Sequence, residues 1–175
     1  MLRKQGLVLA GMSGAIIVIV LLVANAGVVA TWLHIPVPSG DDAASRLALA
    51  AQWLVVPGLT LMIGIGMVAR QRFFVADAMD GSPNTQNHVL EINLRYNRNT
   101  LEQMLLVALA WPALALALPH DRLALIPELA IVFGVARALF WLGYLYAGWA
   151  RAFGFALTFY PTVAVYLWLV WKALS

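Results

Sequence analysis

Five stretches of this chain are long and apolar enough to cross a bilayer, and that restricts its fold more than any other feature. A spanning helix needs roughly 20 mainly apolar residues. Gly6 to Leu33 and Leu47 to Ala69 carry no charge, and Gln52 is the most polar residue of the second run. Asn99 to Leu118 is interrupted only by Glu102, Leu123 to Ala150 by Glu128 and Arg137, and Ala152 to Trp171 by no charge at all. Between the runs lie turn-forming segments: Pro36 to Asp42, Asp80-Gly81-Ser82-Pro83-Asn84, Pro119-His120-Asp121, and a tight hinge at Gly148. The runs are continuous rather than alternating, which argues against a transmembrane β-barrel. Helices satisfy every backbone polar group within the segment, as lipid requires. Composition agrees: 63% of the 175 residues are hydrophobic and 11% charged, against about a quarter charged in soluble domains. The expected fold class is an all-α integral membrane protein with five spans.

The first run follows Met1-Leu2-Arg3-Lys4, which is also how a secretory signal begins, and Ala24-Asn25-Ala26 resembles a cleavage site. The run is much longer than a signal's apolar core, which favours a true span. Basic residues set the orientation. With the N-terminus in the cytoplasm, that side holds Arg3, Lys4, Arg70, Arg72, Arg95, Arg98 and Arg151, seven in all, against three (Arg46, Arg122 and Lys172) on the other. The expectation is therefore N-terminus inside and C-terminus outside, in a membrane that the alanine-rich composition suggests is a bacterial inner membrane.

Ionisable groups within spans are costly and by default mark a functional site. Arg95, Asn99 and Glu102 stand at i, i+4 and i+7 and so share one helix face, with Arg98 beside them four residues before Glu102. Arg137, Phe140 and Tyr144 repeat that pattern in the next span, and Arg151 opens the last. Arg95 and Arg98 taken singly read equally well as interfacial anchors that snorkel to the headgroups. Anchoring alone does not explain why Asn99 and Glu102 lie on the same face. Glu128, next to Pro127 at the other end of its span, is read as an interfacial residue.

Several guanidinium groups at one end suit an anion, because they pair with carboxylates in a bidentate fork. A carboxyl group deeper in suits an ammonium or amide donor. Together they fit a small zwitterion with extra negative charge, and grooves between the helices would admit an apolar second substrate from the bilayer. The absence of cysteine rules out disulfides, thiolate metal sites and a cysteine nucleophile. His34, His88 and His120 are far apart and suggest no metal site, and a net charge of +3 is too small and scattered to point to nucleic acid.

Glu91-x-x-x-Arg95-x-x-Arg98-Asn99-x-x-Glu102 resembles the signature of the MAPEG family, the membrane-associated proteins in eicosanoid and glutathione metabolism. A second block, Arg137-x-x-Phe140-x-x-Gly143-Tyr144 followed by Arg151 and Gly154-Phe155, agrees in order and spacing, and Ala69-Arg70-Gln71-Arg72 is a weaker third match. The resemblance implies a four-helix MAPEG-like bundle over residues 45–175, plus one extra N-terminal transmembrane helix and connecting loop over residues 1–44. Gly11 and Gly14 would let that helix pack closely outside the bundle. The resemblance further implies a homotrimer surrounded by membrane lipids, with glutathione as cosubstrate between neighbouring subunits.

Carried over by position, Arg95, Asn99, Glu102 and Tyr144 resemble residues that hold the glutathione backbone. Arg70 resembles one that closes over its carboxylate end, and Asn97 occupies the place of another polar contact. Arg98 and Arg137, which belong to the two motifs, join the same binding set. Arg151 resembles the arginine that stabilises the glutathione thiolate, which makes it the expected catalytic residue. The implied function is a transferase that conjugates glutathione to lipophilic electrophiles, with reduction of lipid hydroperoxides as a companion activity. The alternative is a non-catalytic lipid-binding or scaffold protein of the same fold. Phe140, Gln103 and Phe155 depart from residues common in relatives, which counts against eicosanoid-specific activities more than against glutathione binding.

Overall fold

The computed structural model describes residues 2–74 and 87–175, so the turn expected at Asp80 to Asn84 lies outside the described residues. Among the described residues seven α-helices follow in order: α1 (Leu2–Ala24), α2 (Val28–Trp32), α3 (Ala43–Trp53), α4 (Val55–Phe74), α5 (His88–Ala117), α6 (Leu125–Tyr146) and α7 (Ala152–Leu174). Five spans result, because α3 and α4 are one apolar rod of 32 residues, Ala43–Phe74. Pro57 lacks the N–H that Trp53 needs for its carbonyl, and the rod divides there.

α5 is the central element and touches α3, α4, α6 and α7. Its 30 residues make it about 45 Å long, and it begins eleven residues before the apolar run expected from Asn99. The motif from Glu91 to Glu102 therefore occupies the first half of one continuous helix. Leu49 and Ala50 of α3, Trp111 and Leu114 of α5, and Ile126, Ala130 and Phe133 of α6 form the main buried cluster. Arg46, nearly buried, ties this half together by donating from Nη1 to the carbonyls of Ala115 (2.8 Å) and Leu118 (2.6 Å) at the end of α5. Lys172 donates to the carbonyl of Ala117 in the same place. Two cations thus satisfy carbonyls that a helix C-terminus leaves without partners and that carry its negative dipole end. Arg46 also pairs with Asp41, and that hydrogen bond is the main reason the Asp41 carboxyl is held below its ordinary value.

The first apolar run is not one helix. It breaks after Ala24, and Gly27 takes φ 93, a left-handed conformation that glycine adopts without steric cost. α1 lies along α7, where Phe153 rests against Gly11 and Gly14. A Cβ on Gly11 would come within 3.4 Å of the Phe153 nitrogen, so the pair of glycines does support the close contact expected of it. Ala15, Ala136, Ala156 and Leu157 complete a small buried cluster joining α1, α6 and α7.

Glu128 corrects its reading as an interfacial residue. It is fully buried, and its Oε1 accepts hydrogen bonds from the backbone N–H of Gly27 (3.0 Å) and Ala30 (3.1 Å). The chain break between α1 and α2 exposes N–H groups at the start of α2, and the carboxyl group reaches across from α6 to take two of them. On the same side Arg122 Nη1 donates to the carbonyl of Val23, near the end of α1 (3.0 Å). Glu128→Ala removes the acceptor and leaves two donors without partners, with an expected loss of about 2 kcal/mol or more. Thermal unfolding in detergent measures this, and Glu128→Gln, which keeps an acceptor oxygen, is expected to recover most of it.

Candidate functional site

Arg70, Arg95, Tyr144 and Arg151 lie at the end of the bundle that holds the start of α1, where α4 ends, α5 begins, and α6 turns into α7. The turn is built locally. Ala147 is extended after α6, and Gly148 to Arg151 form a tight turn, as the Gly148 hinge predicts. Arg151 Nε closes it by donating to the carbonyl of Gly148 (2.9 Å). Gly143 makes room for the returning chain, since a Cβ there would lie 2.6 Å from both the nitrogen and Cα of Arg151. That contact gives the motif glycine a structural role: it seats Arg151 against α6.

Arg151 then meets Tyr144 in the last turn of α6. Its Nη1 donates to the Tyr144 hydroxyl (2.5 Å), and its Cζ lies 4.7 Å from the Tyr144 ring centroid. Arg95 of α5, Tyr144 of α6 and Arg151 at the start of α7 line one pocket of about 420 Å³, together with His88 and Glu91. Three of the expected site residues, from three helices, therefore share a polar chamber. Glu91 pairs with Arg95 (2.6 Å), and both remain largely exposed. Glu91 belongs to the motif but was not among the expected ligands. Its spacing four residues before Arg95 was the available signal. His88 gave no such signal.

The other expected residues do not line this chamber. Arg70 is exposed and lines a separate pocket of about 470 Å³ with Gln71, Asn93 and Trp141. There Trp141 Nε1 donates to Asn93 Oδ1 (2.8 Å), and Asn93 Nδ2 donates to Gln71 Oε1 (3.1 Å), a chain linking α6, α5 and α4. Arg98 and Glu102 pair with each other at 3.4 Å on an exposed face of α5. Asn97 packs against Gly64 of α4, and its Oδ1 is buried without a partner among the described residues.

Arg137 is fully buried and lines none of these chambers. Its Nη1 donates to Asn99 Oδ1 (3.1 Å), while Nε and Nη2 have no partner among the described residues. Its Cζ stands 4.0 Å from the Phe140 ring centroid, and Phe140 in turn meets the Tyr144 ring edge-on at 5.0 Å. A cation over an aromatic face is favourable, more so when desolvated. Phe140 is thus the buried link between Arg137 and Tyr144, a task that needs the ring and no hydroxyl.

Arg151 borders a second chamber as well. About 540 Å³ in volume, it shares Gly148 and Arg151 with the polar chamber but is otherwise lined by Val8, Met12, Trp149, Ala152 and Phe155. Arg151 therefore borders both a polar and an apolar cavity.

A sequence model of the MAPEG family matches residues 47–171, well over half of the chain. The chain belongs to the MAPEG family. The matched residues run from α3 into α7, so both motif-bearing helices and the Gly148 turn fall within the MAPEG segment and α1 and α2 outside it. Among curated proteins the chain is similar to Transmembrane protein 79 of Mus musculus, 29% identical over 123 residues, and to Transmembrane protein 79 of Bos taurus, 28% identical over 123 residues. Each match covers 70% of this chain and 29% of the relative, so the chain spans less than a third of the length of the curated relatives it matches. No solved structure matches it significantly.

Proposed function

We propose that this MAPEG protein is a glutathione-dependent transferase that joins the glutathione sulfur to lipophilic electrophiles. The observation that carries this reading is that Arg151 borders both a polar chamber and an apolar one. Arg95 and Arg151 supply positive charge for carboxylate groups, and Glu91 supplies a partner for an ammonium group. Arg151 also occupies the N-cap position of α7, a helix of 23 residues. A guanidinium and a helix N-terminus both lower the pKa of a nearby thiol, whose ordinary value is about 8.5. The thiol proton leaves to water, the sulfur forms a bond to the electrophilic carbon, and the leaving group departs with its bonding pair. The same thiolate would attack the terminal oxygen of a lipid hydroperoxide: an S–O bond forms, the O–O bond breaks, and the lipid alkoxide leaves and takes a proton from water. A second glutathione then condenses with the sulfenic acid to give the disulfide and water.

A homotrimer fits this reading. The Arg98–Glu102 pair stands on a lateral face of α5 beside exposed Leu101, Leu105 and Leu109. Charge on a face turned to lipid is costly, and a neighbouring subunit would cover it while bringing its own exposed Arg70 toward the chamber. With the N-terminus inside, the chamber opens to the cytoplasm.

One observation favours the second reading, a non-catalytic lipid-binding or scaffold protein. Arg95 pairs with Glu91, Arg98 with Glu102 and Asn99 with Arg137, so these residues also partner one another. Purified protein in detergent separates the two readings. The transferase is expected to bind glutathione in calorimetry and to conjugate it to a chlorinated nitrobenzene, and absence of both transfers the reading to a scaffold. Arg95→Ala is expected to weaken glutathione binding about ten-fold, or about 1.4 kcal/mol. Its effect on stability should be small, because the Arg95–Glu91 pair is exposed.

A further inference from the structure

We infer that α1, which lies outside the MAPEG segment, forms one wall of the site for the lipophilic acceptor, and that Val8 and Met12 select which acceptors enter. This rests on the transferase reading. The apolar chamber lies between the first half of α1 and the start of α7, with Trp149 and Phe155 facing Val8 and Met12 across it. Val8 and Met12 are four residues apart and so share one face of α1. The neighbouring face of α1 carries Gly11, Gly14 and Ala15, which seat the helix against Phe153 and α7. That seat fixes the distance between α1 and Arg151, and with it the width of the chamber.

A cavity of about 540 Å³ is of a size that holds a small organic ligand. Apart from Arg151 and the Trp149 indole N–H, its side chains offer no polar group, which fits an apolar electrophile whose reactive carbon stops at Arg151. Methionine is unbranched and adapts to varied shapes, so the wall at Met12 suits acceptors of differing outline. The family residues would therefore hold the thiol, while the added helix would set the range of its partners.

S-alkylglutathiones test this because the peptide part occupies the polar chamber and the alkyl group enters the apolar one. Binding of S-methylglutathione and S-hexylglutathione is measured by calorimetry in detergent for the wild-type chain and for Val8→Trp/Met12→Trp. The wild type is expected to bind the hexyl compound at least about ten-fold more tightly, since each buried methylene adds favourable transfer free energy. In the double tryptophan variant that preference is expected to fall to within about two-fold, with S-methylglutathione affinity unchanged. Should that variant fail to bind S-methylglutathione, Val8→Ala/Met12→Ala decides: the hexyl preference is expected to drop about three-fold through lost contacts. A wild-type preference below two-fold, or one unchanged in the deciding variant, overturns the role of α1 and leaves the transferase reading standing. No binding of S-methylglutathione to the wild type overturns the transferase reading and this inference with it.

Discussion

Arg151→Ala is expected to abolish thiolate formation on bound glutathione, measured as loss of the ultraviolet thiolate absorbance that appears when glutathione is added to the wild type. With the thiol lowered by about 2.5 units to near 6, within the range that guanidinium groups and helix N-termini produce, roughly nine-tenths is ionised at pH 7. At its ordinary value near 8.5 only a few per cent is ionised. A shift of that size corresponds to about 3.4 kcal/mol of preferential stabilisation. The effect on rate is subtler. A thiolate of lower pKa is a weaker nucleophile, with a slope of about 0.4–0.5, which offsets much of the gain in ionised fraction. Loss of ionisation alone therefore predicts only a few-fold fall in kcat at pH 7, restored as pH rises toward 9. A fall of 100-fold or more that high pH does not restore would show that Arg151 mainly positions the sulfur. Tyr144→Phe keeps the guanidinium but removes the hydroxyl that Arg151 Nη1 contacts. It is expected to retain the absorbance and to lose turnover in proportion to that positioning role.

Gly154→Val carries the largest expected cost to the fold. A Cβ at this position would lie 2.5 Å from the Phe140 nitrogen and 2.6 Å from the Ala136 carbonyl oxygen. Both are backbone atoms of α6, held by their own helix, so neither yields as the tip of a flexible side chain would. Small residues at such crossings let two helix backbones approach closely, and packing is the main force joining helices in lipid. Pushing α7 away separates Arg151 from Tyr144 and loosens Phe140 from its place beneath Arg137. Overpacking in a tight core costs typically 1–3 kcal/mol, and contact with fixed backbone places this variant at about 3 kcal/mol or more. The expected result is a lower melting temperature in detergent with loss of glutathione binding. Gly148→Ala is the contrasting control. A Cβ there meets nothing within 4 Å, so its effect should be small.

Much of the architecture was legible in the residues. Span number follows from run length, since about 20 apolar residues match the bilayer thickness, and each run overlaps one of the five spans, although the first span ends at Ala24 and the third starts at His88. The stripe of Arg95, Asn99 and Glu102 follows from helical periodicity, and α5 carries it on one continuous helix. The Gly148 turn follows from one glycine between two apolar runs. These features are local: each depends on residues a few positions apart, whose relation the helix repeat alone prescribes.

What the residues left open depends on how the helices cross. In a membrane protein, apolar side chains face both lipid and protein, so hydrophobicity does not tell which face packs. The extra span shows the consequence. Nothing in its apolar run marks the break at Gly27, the seat of Phe153 on Gly11 and Gly14, or the hydrogen bonds from Glu128, whose partners lie 101 and 98 residues away. The expected site residues divide for the same reason. Periodicity groups Arg95 with Asn99 and Glu102, whereas the folded chain groups Arg95 with Tyr144 and Arg151 and turns Asn99 toward Arg137. Residue type and helical spacing thus specify spans, polar stripes and turns. Interhelical packing alone sets which of those polar groups share a chamber, because it fixes distances between residues that the chain separates widely.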